Sequence, residues 1–126
     1  MSRILLIILI HTIGDFLFQG DKLRQNKALK LSSLGMHILI YSIILFAFSP
    51  FILGITIKQA FMFALLNGVF HLIVDFFFRK LKKGYRDFDI KKYRIVVVVD
   101  QALHIIALLI SFYYLIPNGF SAEYFN

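Results

Sequence analysis

The residues that could do chemistry in this chain sit where chemistry is least expected, inside its apolar stretches. His11/Asp15, His71/Asp75 and Asp100/His104 are each i, i+4 pairs, and His37 is followed at the same interval by Tyr41. Residues four apart lie one above the other on a helix face. Gln19 prolongs the first stripe and Asn67 precedes the second, while Gln101 sits beside Asp100 but about 100° further round. The chain has no cysteine, so the candidate donors are imidazoles and carboxylates. Such a set suits a divalent metal, zinc first, with manganese or iron as alternatives. The candidate ligands are His11, Asp15, His37, His71, Asp75, Asp100 and His104. They exceed the needs of one tetrahedral zinc, so the expectation is one or two ions, or carboxylates that orient the imidazoles. A spare carboxylate among Asp15, Asp75 and Asp100 would serve as general base, and His37 as acid, ligand or substrate contact. Gln19, Tyr41, Asn67 and Gln101 are the expected supporting contacts.

Composition says which elements must hold these residues. Of 126 residues, 60% are hydrophobic and 17% charged, and the mean hydropathy is +0.79. Disorder and a disulfide scaffold are excluded. A soluble globule is disfavoured, because 14 basic and 7 acidic residues cannot cover the large surface of so small a chain. The expected fold is all-α: one transmembrane domain over residues 1–126, an antiparallel four-helix bundle embedded in a lipid bilayer. The spans fall at about 3–20, 34–57, 59–78 and 95–116, each near the ~20 residues that cross a bilayer. Pro50 either kinks the second span or ends it near Phe48. Ser2-Arg3 followed by Ile4–Ile10 looks like the start of a signal peptide, but His11, Asp15 and Gln19 follow without a small-residue cleavage pattern. The segment is therefore read as a retained span.

Charge orients the bundle. Lys22, Arg24, Lys27 and Lys30 lie in the first link (21–33), and Arg79, Lys80, Lys82, Lys83, Arg86, Lys91, Lys92 and Arg94 in the third (79–94). Only Arg3 and Lys58 remain for the other side. The positive-inside rule puts both basic links in the cytoplasm and both termini outside, as in a multi-pass membrane protein. The segment Arg79–Arg94 would attract anionic lipid headgroups. No nucleic-acid partner is expected, since the aromatics lie mainly inside the spans. With this topology Asp15, Asp75 and Asp100 fall at one shallow level, together with His37. His11, His71 and His104 fall about 6 Å deeper. An ionised aspartate within a membrane helix costs about 2.5–3.5 kcal/mol near the centre. No Lys or Arg is expected at that depth, which leaves histidinium or a shared cation as the partner.

The ordered motifs His11-x-x-Gly14-Asp15-Phe16-x-x-Gln19, Lys27, His37, His71-x-x-x-Asp75 and Asp100-Gln101-x-x-His104 resemble a family of small bacterial and phage-associated membrane proteins that carries a domain-of-unknown-function label. The likeness runs from about Leu5 to Tyr114. It implies a four-helix protein of the prokaryotic cytoplasmic membrane and brings no activity with it. A looser resemblance is to predicted membrane-bound metal-dependent hydrolases, which also place His and Asp pairs on transmembrane helices.

Three functions fit these residues. The first is a metal-dependent hydrolase acting on a lipid or lipid-linked anionic substrate at the cytoplasmic leaflet. The second is a metal-ion or proton transporter using the same ladder, with a homo-oligomer completing the pore. The third is a non-catalytic component whose metal or hydrogen bonds only staple the bundle.

Overall fold

The computed structural model describes residues 2–17 and 31–116. Gln19 and the first basic link through Lys30 lie outside the described residues. The described chain is all helical, with no strand: α1 (Arg3–Thr12), a π-helical turn (Ile13–Leu17), α2 (Leu31–Leu53), α3 (Ile57–Arg86) and α4 (Ile90–Leu115).

Each boundary has a local cause. Helix α2 continues through Pro50 and closes at Gly54, whose φ of 64° is left-handed and whose N–H donates to the Pro50 carbonyl. Pro50 cannot donate to the Phe46 carbonyl, so the helix loses one bond there and runs on for only one more turn. Thr56 then opens α3 with a reciprocal cap: its hydroxyl accepts from the Gln59 N–H at 3.1 Å, and its own N–H donates to Gln59 Oε1 at 2.9 Å. Asp89 caps α4 by accepting from the Lys92 N–H at 3.1 Å.

The expected third link of residues 79–94 shrinks to the three residues between α3 and α4. Lys and Arg are good helix formers, so the change from apolar to basic marks a change of surroundings and not a helix end. Most of the basic residues ride on the ends of α3 and α4.

Helices α2, α3 and α4 are long and apolar enough to cross a membrane. The described part of the first segment, ten α-helical residues and a five-residue π turn, is shorter than the others. Their outward faces carry Ile43, Phe51, Phe61, Phe77, Val98 and Ile110, all exposed. Burial is confined to narrow stripes: Leu34, His37, Tyr41, Leu45, Ser49 and Leu53 on α2, and Asp100, His104, Leu108 and Phe112 on α4. Helix α3 packs against both α2 and α4, and α1 packs against α2. One end of the buried stripes is apolar, a core of Ile7, Leu45, Phe63, Leu108 and Phe112. The other end holds the histidines and aspartates.

Gly68 of α3 packs under Ser42 of α2, where an added Cβ would force the Ser42 hydroxyl to turn away and a larger side chain would meet Ser42 and Ile38. Gly68→Leu is expected to destabilise the fold by about 1–3 kcal/mol. Gly84→Leu, in open space on the same helix, is expected to be neutral or mildly stabilising. Thermal unfolding in detergent checks the pair, and equal effects would contradict the packing described.

Candidate metal centre

Four buried side chains from three segments aim one atom each at a common point. The His37 and His71 Nε2 atoms are 3.0 Å apart. Asp15 Oδ1 lies 3.0 Å from the first and 3.3 Å from the second. Asp75 Oδ2 lies 3.1 and 3.3 Å from the same two nitrogens. All four residues are essentially shielded from solvent.

Hydrogen bonding alone does not explain this arrangement. An imidazole Nε2 has one in-plane direction in which to donate or accept, yet the His37 nitrogen has three partners within 3.1 Å. A tetrahedral ion with bonds of ~2.0–2.1 Å sets its donors roughly 3.3 Å apart. The observed separations of 3.0–3.3 Å approach that edge. Asp15, His37, His71 and Asp75 could therefore hold a metal ion.

The membership differs from the simple stripe. His11 stands apart, its Nδ1 hydrogen-bonded with the Tyr41 hydroxyl at 2.9 Å and its Nε2 with Gln101 Oε1 at 3.3 Å. The π turn separates His11 from Asp15. Its wider turn takes Asp15 off the face His11 occupies and toward His37 and His71. Gly14, buried in that turn, lets α1 come close to the Tyr41 ring; a Cβ there would lie 3.3 Å from it. His37 and His71 thus meet with both carboxylates in one cluster, in place of separate carboxylate and imidazole layers.

Supporting contacts come from α4 and α2. Gln101 Nε2 donates to Asp15 Oδ2 at 2.7 Å, which leaves Oδ1 toward the histidines. The Tyr41 ring lies against His71 with centroids 4.3 Å apart, and the His104 ring covers another side at 4.0 Å. Asn67 serves a different purpose. Its amide donates to the Phe63 carbonyl and to Ser111 Oγ, tying α3 to α4 one turn beyond His71 and away from the donors.

Asp75, Asp100 and His104 form a second group whose donor atoms lie within 4.8 Å of one another. Here the expectation that no basic residue reaches this depth is corrected. The Lys82 ammonium pairs directly with Asp100 Oδ2. Because α3 runs on through the basic segment, Lys82 stands two turns beyond Asp75 and folds back along the bundle. The seven-residue spacing between Asp75 and Lys82 was the available signal.

A family profile described as "Protein of unknown function (DUF3307)" matches residues 4–126, and the chain belongs to that family. No curated protein and no solved structure matches the chain.

His37→Ala is expected to lower zinc affinity at least tenfold, whereas His11→Ala keeps the zinc stoichiometry of the parent. Equilibrium dialysis of detergent-purified protein measures both. Equal losses in the two variants would contradict the donor set.

Proposed function

We propose that this member of a family without an assigned activity is an integral membrane, metal-dependent hydrolase. Its substrate would be an amphiphile with an anionic head, such as a lipid phosphate or lipid-linked precursor, taken from the cytoplasmic leaflet. The observation that carries the reading is the convergence of Asp15 Oδ1, His37 Nε2, His71 Nε2 and Asp75 Oδ2. Nitrogen and oxygen donors favour zinc, with manganese or iron next. A divalent ion held there would polarise a phosphoryl or carbonyl oxygen and acidify a bound water.

The chain's own residues divide the remaining work. Gln101 holds Asp15 in place through its second oxygen. Tyr41 and His104 pack around His71 and exclude water from its ring. Asp100, paired with Lys82, lies toward the basic ends of α3 and α4, where an anionic head would enter. Arg79, Lys80 and Lys83 on α3, and Lys91, Lys92 and Arg94 on α4, supply the attraction for that head. By the positive-inside rule this end faces the cytoplasm, and both termini lie outside.

The apolar core of Ile7, Leu45, Phe63, Leu108 and Phe112 occupies the other half of the bundle. It favours chemistry reached from one side over a polar path through the membrane.

Two measurements test the proposal. Purified protein should contain about one or two divalent ions per chain by elemental analysis, and His71→Ala should lose most of them. Vesicles carrying a lipid phosphomonoester should release phosphate when the protein is present, stop on chelation, and resume when zinc or manganese is restored. Metal-free parent protein, or alanine variants of the four donors that retain full metal, would falsify the metal centre. A metal gradient that collapses without product would replace hydrolysis with transport.

A further inference from the structure

Asp75 faces two ways. Its Oδ2 belongs to the four-donor cluster, while its Oδ1 lies 3.5 Å from His104 Nε2. His104 is 3% exposed, and neither of its nitrogens has a hydrogen-bond partner among the described residues. Its Nδ1 lies 3.5 Å from Asp100 Oδ1, which also lacks a hydrogen bond among the described residues. That separation is too long for an ordinary N–H···O bond, which falls at about 2.7–3.2 Å. It is close to the roughly 3.4 Å between two donors bound to one ion at ~2.1 Å. Only one nitrogen of His104 can bind a given ion; that nitrogen, with one oxygen each from Asp75 and Asp100, makes a set of buried donors within 4.8 Å of one another.

The charge that does reach this group is the Lys82 ammonium, paired with Asp100 Oδ2. Lys82 is placed to leave. Its side chain remains 18% exposed, it rides on the basic end of α3, and its four-carbon stem is flexible. Asp100, by contrast, is fully buried and cannot follow it to solvent.

We infer that Asp75, Asp100 and His104 form a second divalent-cation site, joined to the first through the Asp75 carboxylate, and that Lys82 occupies its charge position when the second ion is absent. The inference rests on the proposed first centre, since Asp75 is the bridge between the two. Ammonium and metal compete for Asp100. A divalent ion entering the group repels Lys82 and sends it toward the headgroup region. The second ion therefore binds more weakly than the first, and Lys82 sets how much more weakly. A group with three protein donors also leaves a coordination position for water or substrate, beside the first ion, which would have to expand to five-coordinate to take one. Lys82, once displaced, meets the anionic head of the substrate at the same mouth.

The test is a zinc titration of the metal-free full chain in detergent, followed by calorimetry and by equilibrium dialysis. The parent should take up one ion tightly and a second more weakly. Lys82→Met keeps the stem and removes the charge, and should tighten the second step by about tenfold or more while leaving the first unchanged. Lys58→Met, an exposed lysine at the opposite end of α3, should change neither step. His104→Ala and Asp100→Asn should each abolish the second step and keep the first, with melting curves confirming that they fold. A single ion in both the parent and Lys82→Met, with the first step intact, overturns the second site alone. Equal tightening of both steps by Lys82→Met also overturns it, because Lys82 would then act as a general surface charge. No ion in any form overturns the first centre and the second with it.

Discussion

Two carboxylates and two imidazoles aimed at one point, in a bundle that is otherwise apolar, are the constraint on which the structure depends. The donor atoms of Asp15 and Asp75 lie within 4.8 Å of each other. Two carboxylate charges at that separation repel by about 3–4 kcal/mol even at an effective dielectric near 20. Burial adds the cost of taking them from water. Neutral histidines can each donate to one carboxylate, but they bring no positive charge to set against the two negative ones. A shared cation removes the repulsion and satisfies all four atoms. Structural zinc contributes on the order of 10 kcal/mol or more to small folds, enough to outweigh these costs. The packing supports that convergence: Gly14 admits the Tyr41 ring, Gly68 of α3 packs under Ser42 of α2, and α3 carries two of the four donors.

The bundle divides along its length. One half is closed by aliphatic and phenylalanine side chains, and the other carries nearly all of its buried polar groups. Between them lie the His11–Tyr41 and Asn67–Ser111 contacts, which tie helices together at the boundary. This asymmetry puts the proposed centre in the half of the bundle toward the basic residues. Lys82 belongs to both regions, its backbone in the basic segment and its ammonium at Asp100.

The helices and the polar stripes were legible in the sequence because both are local periodicities. The pairs at i, i+4 appear directly, and His71 with Asp75 remains a working pair in three dimensions. What could not be read was which stripe meets which. His37 had no acidic partner on its own helix, yet it meets Asp15 and Asp75 across helix boundaries. That choice is made by packing. The π turn at Ile13–Leu17 broke the inference from His11 to Asp15, since nothing in the local pattern announces one wider turn. Lys82 was missed for a different reason. A run of basic residues reads as a link, although a helix continuing through it places Lys82 on the Asp75 face. Gln101 neighbours Asp100 in sequence but not on its helix face, and its contacts with Asp15 and His11 on the first segment emerge only from the fold.

X-ray absorption at the zinc edge, on protein loaded with one equivalent, tests the central claim most directly. The account predicts about four nitrogen and oxygen donors at ~2.0 Å, with outer-shell scattering from two imidazoles that falls to one in His37→Ala. A six-oxygen shell typical of a hydrated ion, or an imidazole count that His37→Ala leaves unchanged, would contradict it.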